Sequence, residues 1–148
     1  MESKTLDFLI KSRQSTYASG IKPKIIDGAN VYTIKDGDLE YRDVYYDQHL
    51  FFQGQEVLIK NGAPIWSMSY RGAAIEDFDP GEVFTVLQKL IKENADKVRF
   101  GDFFEKSEGG YNYVSKGEGN SDEFKGREEM YQNKKLAHWM EYFAGTIK

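Results

Sequence analysis

Apolar and polar residues alternate along most of the chain, and the places where the alternation gives way to helical spacing mark its helices. Val57-Leu58-Ile59-Lys60 and Ile65-Trp66-Ser67-Met68-Ser69-Tyr70 flank Asn61-Gly62, the preferred dipeptide of a two-residue type I′ hairpin. Glu128-Glu129-Met130-Tyr131-Gln132 and Leu136-Ala137-His138-Trp139-Met140-Glu141-Tyr142 flank Asn133-Lys134 in the same way. Further strands are predicted at residues 31–34, 39–46 and 111–114, and residues 116–122 read as a long hairpin loop. Asp79-Pro80-Gly81-Glu82 supplies a capping carboxylate, a proline at the first helical position and a glutamate three residues on. Val83, Phe84, Leu87, Leu90 and Ile91 then follow at helical spacing. A shorter helix near the start takes Thr5 as its cap and carries Leu6, Leu9 and Ile10 on one face, a stripe that extends to Arg13 and Tyr17.

Shifting residues 37–76 by 72 positions onto 109–148 gives nine identities in 40 positions, among them Tyr41 with Tyr113, Gly54 with Gly126, Glu56 with Glu128 and Tyr70 with Tyr142. The order helix, strands, helix, strands then predicts an α+β class: internally duplicated helix-plus-antiparallel-sheet units, residues 1–76 and 77–148, forming one compact domain with a central cleft. A two-residue turn at Asn61-Gly62 pairs Lys60 with Ala63, and continued regularly it pairs Val57 with Trp66, Glu56 with Ser67 and Gln55 with Met68. That register puts Val57, Ile59, Trp66, Met68 and Tyr70 under a helix and leaves Glu56 on the mixed face. In the second hairpin it puts Glu128 beside Trp139 on the mixed face and His138 with Glu129 on the other.

Composition narrows the classes. The chain has 148 residues, enough for one domain with a substantial core, and 22 of them are aromatic. It has no cysteine, which removes disulfides, thiolate metal sites and cysteine nucleophiles. No apolar run is long enough to cross a bilayer and the start carries no signal-peptide pattern, so a cytoplasmic protein is expected. The net charge of −4 sits wholly in residues 76–148, which hold 15 acidic and 11 basic side chains against 9 of each before them. An acid excess without a basic patch argues against nucleic acid as a partner.

Chemistry-bearing candidates are few. Two histidines make a histidine metal site improbable, Asp36-Gly37-Asp38 does not form a calcium loop, and phosphate-loop and nucleophile-elbow patterns are absent, so neither metal nor cofactor is expected. Glu56 and Glu128 have three readings: an acid/base pair, ligand contacts, or strand-end acceptors for backbone or tyrosine hydrogen bonds. Tyr41, Arg42, Asp43 and Tyr45 make either a ligand wall or a surface ion pair among strand aromatics. Trp139, Tyr113 and His138 join them as candidate ligand contacts, and Arg42, Arg71 and Arg127 are the cations available to a phosphate or carboxylate.

Leu39-x-Tyr41-Arg42-Asp43-x-Tyr45, Phe52-x-Gly54-Gln55-Glu56 and Pro64-x-Trp66-x-Met68-x-Tyr70-x-Gly72, preceded by Phe8-Leu9-Ile10-Lys11 and Thr16-Tyr17-Ala18, resemble a bacterial domain-of-unknown-function family. Tyr111-x-Tyr113, Phe124-x-Gly126-x-Glu128 and Met140-x-Tyr142 are similar to its second half. The resemblance implies a domain found free-standing or behind an Xre-type helix-turn-helix in regulators, and relatives carry a glycine-containing loop where this chain has Asp47-Gln48-His49-Leu50. It assigns no chemistry. The expected function is non-enzymatic binding of a planar or nucleotide-like small molecule, as a sensor or a sequestering sponge; capture of a nucleotide immune signal by a phage-encoded protein is one concrete version. The alternatives are a protein–protein or inhibitor module, including a homodimer through a sheet edge, and a carboxylate-based hydrolase.

Overall fold

The computed structural model describes residues 1–148. Helix α1 (Ser3–Ser15) and a single tight turn at Tyr17–Ser19 lead into β1 (Lys24–Ile26), β2 (Ala29–Asp36), β3 (Leu39–Gln48), β4 (Phe51–Lys60) and β5 (Ala63–Ala74). Helix α2 (Pro80–Glu93) then precedes β6 (Phe104–Glu108), β7 (Tyr111–Asn120), β8 (Glu123–Gln132) and β9 (Lys135–Thr146). All nine strands join one antiparallel sheet in the order β1-β2-β3-β4-β5-β9-β8-β7-β6.

This corrects the expected α+β duplication of helix-plus-sheet units. Strand takes 54% of the residues and helix 20%, so the fold is β-rich and its frame is one continuous sheet. Two separate sheets would each leave a twelve-residue strand with an unpaired edge. Pairing β5 with β9, from Trp66 opposite Thr146 to Ala74 opposite His138, removes both edges at once. The bounds of β3, β4 and β5 recur 72 residues later in β7, β8 and β9, but the helices break that offset, α1 beginning at Ser3 and α2 at Pro80.

Both helices lie on the same face. Phe8 and Leu9 of α1 pack with Tyr41, Leu58, Trp66 and Met68, while Val83, Leu87, Leu90 and Ile91 of α2 pack with Tyr113, Met130 and Ala137. Asp79 caps α2 as its sequence predicts, its Oδ1 accepting from the Gly81 N–H at 3.0 Å, with Pro80 opening the helix. α1 starts two residues before the predicted cap, at Ser3, and has no side-chain cap. No helix is long and apolar enough to cross a membrane.

Two bulges change which side chains meet the helices. The turns at Asn61-Gly62 and Asn133-Lys134 have positive φ at both positions, as a type I′ turn requires. Lys60 pairs with Ala63 as expected, but Ile65 is left over in a bulge, so Leu58 faces Trp66 and Glu56 faces Met68. The second hairpin bulges at the matching place: Tyr131 faces Leu136, Met130 faces His138, and Glu128 faces Met140. A one-residue slip turns a strand over, so Glu56 and Glu128 point toward the helices, whereas the regular register puts them on the open face. Of the expected loop at residues 116–122, residues 116–120 are strand and only Ser121-Asp122 are left as the turn. Glycines there admit a close approach: a Cβ on Gly117 would come within 2.8 Å of the Gly126 Cα and 3.0 Å of the Gly101 Cα.

Candidate functional site

A cavity of about 160 Å³ lies where the C-terminal end of α1, the turn after it and α2 cross the β3–β4 end of the sheet. Phe52, Phe84 and Leu87 form its apolar walls, and Tyr17, Tyr45 and Tyr70 add rings with hydroxyls. At its mouth the β3–β4 hairpin brings up Asp47, His49 and the half-exposed Phe51. His138, fully buried behind the wall, stacks on Phe52 at 5.9 Å and meets Phe84 edge-on at 6.1 Å.

Two buried ion pairs frame the space. Arg13, on the inward stripe of α1, forks onto Glu56: Nη2 donates to Oε2 at 2.7 Å and Nε to both oxygens at 3.1 Å. Tyr41 Oη donates to Glu56 Oε1 at 2.9 Å, and the guanidinium lies 4.8 Å from the Phe100 ring centroid. Arg99, in the segment after α2, does the same for Glu128, with Nη2 to Oε1 at 2.7 Å and Nε to Oε2 at 3.2 Å, while Tyr113 Oη donates to Oε2 at 2.6 Å. Each repeated glutamate therefore accepts from one arginine and one tyrosine, and Glu128 from His138 as well. Burial alone would favour a protonated Glu128, but Arg99 and His138 hold it well below the usual carboxylate range. Burial opposes the charge of Arg99 as well, but the Glu128 carboxylate outweighs it and holds the guanidinium above its ordinary value. Arg99 has φ +61°, a left-handed conformation that costs a non-glycine residue roughly 1–3 kcal/mol, and its carboxylate partner holds it there. Both arginines line the cavity.

Asp43 is the carboxyl without a cation. It is only 5% exposed and stands opposite Glu56 in the β3–β4 ladder, and its one protein hydrogen bond is from Tyr70 Oη to Oδ1 at 2.6 Å. Burial, and then the neighbouring Glu56 charge, push its pKa up to about 7, although Tyr70 and the two guanidinium groups pull the other way. The phenols of Tyr41 and Tyr70 are driven up by burial and by the carboxylates beside them, so they remain donors at neutral pH.

Among the candidates from sequence, Tyr41, Asp43, Tyr45 and Glu56 come together in this cavity. Glu128, Tyr113 and His138 form the adjoining network: His138 Nε2 donates to Glu128 Oε1 at 3.3 Å and leaves Nδ1 without a protein partner. Arg42, Arg71, Arg127 and Trp139 are elsewhere. Arg42 is exposed beside Glu40, with Nη2 on Oε1 at 2.6 Å. Arg71 and Arg127 line a trough on the helix-free face, and Arg127 lies 5.1 Å from the Trp139 ring centroid. Trp139 and Glu128 thus occupy opposite faces of the sheet. Sequence reasoning did not single out Arg13, Arg99, Tyr17 or Tyr70 as site residues. For Arg13 a signal exists, a charge on an apolar helical stripe; Arg99, in an irregular segment, has none.

Residues 43–147 match a family described as Domain of unknown function (DUF5680). No curated protein matches the chain, and no solved structure does.

Proposed function

Starting from the fact that this chain belongs to the DUF5680 family, a domain of unknown function, we propose that it binds a small molecule in the cavity between the helices and the sheet, without transforming it. The observation that carries this reading is the cavity itself, about 160 Å³ walled by aromatic rings around the buried carboxyl of Asp43. Ligand sites are commonly apolar concavities with a few convergent polar groups, and a cavity of roughly 150 Å³ accepts a benzene-sized guest. One ring fits inside. A nucleotide-like ligand would place its base there and its remaining groups at the mouth beside His49 and Phe51.

In this reading the protein acts in the cytoplasm as a sensor or a sequestering sponge. The expected pairing of such domains with Xre-type helix-turn-helix regulators, in bacteria or their phages, supports the sensing role by analogy. A carboxylate-based hydrolase would need Glu56 or Glu128 free for proton transfer, but Arg13 and Tyr41 engage both oxygens of Glu56, and Arg99, Tyr113 and His138 those of Glu128. Mass spectrometry under native conditions on gently purified protein, followed by a thermal-shift panel of metabolites and nucleotides, tests the proposal. A retained ligand or a concentration-dependent rise in Tm is the expected result. Absence of both across the panel removes the reading.

A further inference from the structure

Resting on that reading, we infer that the ligand is an organic cation: a single ring or amidine-like plane that sets its N–H edge against the unpaired oxygen of Asp43 and its faces against the aromatic walls. Inside the cavity charge cancels in pairs except at one place, and the other carboxylate without a cation, Asp47 at the mouth, takes only the neutral Asn30 amide. Arg13 is matched by Glu56 and Arg99 by Glu128, each through a forked contact, whereas Asp43 has only the neutral Tyr70 hydroxyl. A carboxyl buried to this degree without a cation is costly to ionise, and a bound cation would meet that cost. Aromatic faces attract cations and disfavour anions, so the walls and Asp43 select the same kind of guest.

Two guanidinium groups face Asp43, but each is held by its own carboxylate and neither bonds to it. β4 brings Glu56, β5 brings Tyr70, α1 brings Arg13 and the segment after α2 brings Arg99. Tyr32 on β2, Tyr41, Tyr45 and Asp47 on β3 and Tyr17 beyond α1 supply no further cation, nor does α2, which contributes only Phe84, Leu87, Gln88 and Ile91. His49 stands at the mouth. Binding a cation requires the ionised carboxylate, so uptake releases a proton from Asp43 and affinity rises with pH through about 7.

Calorimetric titration of the full chain with benzamidine, toluene and benzoate separates the outcomes. Benzamidine is expected to bind at least tenfold more tightly than toluene at about pH 8, and to weaken by up to roughly tenfold per pH unit below 7. Asp43→Asn keeps the side-chain shape and an acceptor for Tyr70, and it should abolish both the benzamidine preference and the pH dependence. Benzoate as the tightest of the three, or benzamidine no tighter than toluene, overturns the cation assignment while the cavity stands as a binding site. Failure of all three at millimolar concentration overturns the cavity reading itself. Should Asp43→Asn not fold, the ranking and the pH dependence in the native chain still decide.

Discussion

Asp43 and Glu56 stand directly opposite each other on β3 and β4, on the face that meets the helices, yet only Glu56 is gripped by a guanidinium. Like charges in such a pair repel, and the protein resolves the conflict by giving Arg13 to one carboxylate and leaving the other to be protonated near neutrality. That asymmetry makes Asp43 the natural contact for anything entering the cavity.

Its first consequence is for stability. The folded Asp43 carboxyl titrates near 7, whereas the unfolded one titrates near about 4. Between those values the folded state holds a proton that the unfolded state has lost, so this group's contribution is full below about pH 4 and declines as pH rises toward 7. Asp43→Asn removes the decline. Urea unfolding at several pH values should show the variant more stable than the native chain near about pH 8, by up to a few kcal/mol. A native chain no less stable than the variant there would contradict the assignment.

The Arg99–Glu128 pair is almost wholly buried, so removing one partner should do far more damage than removing both. Arg99→Met leaves an uncompensated carboxylate and should lower unfolding stability by about 3–5 kcal/mol, with much of the loss restored in the double variant carrying Glu128→Gln. Because Arg99 and His138 hold Glu128 below the usual carboxylate range, its contribution is present at neutral pH and fades only as pH falls below about 4. A loss under about 1 kcal/mol for Arg99→Met would show that the pair is solvated in solution.

Gly54 tests how tightly Asp43 is held. A Cβ there would overlap the Tyr45 Cβ and come within 2.7 Å of the Tyr70 oxygen, the atom that donates to Asp43. Gly54→Ala should cost about 1–3 kcal/mol and weaken ligand binding, read by thermal melts with and without ligand. Melting and binding unchanged from the native chain would mean that the β3–β4 pair and Tyr70 both give way there without cost.

The turn at Asn133-Lys134 places lysine at φ +66°, where its counterpart in the other hairpin is Gly62 at φ +80°. Lys134→Gly should therefore stabilise the chain by about 0.5–1 kcal/mol, since glycine takes that conformation without a Cβ penalty. A lower urea midpoint for the variant would rule out conformational strain at this turn.

Hairpin positions, the capped α2 and the burial of Trp66 are all legible in the chain, because a turn dipeptide, an N-cap and an alternating apolar run are local signals. The facing of the glutamates is not. Ile65 and its counterpart in the second hairpin add one residue each to their strands, and nothing local separates a bulged strand from a regular one, so continuing the turn's register turns Glu56 and Glu128 the wrong way.

The 22 aromatics and the absence of cysteine already promised a core without covalent ties, and the family resemblance rests on residues that the chain displays in order. Tertiary structure decided which of those residues meet. Arg13 and Arg99 reach their carboxylates across 43 and 29 positions of sequence, and one sheet rather than two exists because β5 and β9 complete each other's hydrogen bonds. A sequence fixes what each side chain can offer, but hydrogen bonds and charge pairs between distant segments form only where the packed chain brings their ends within about 3 Å.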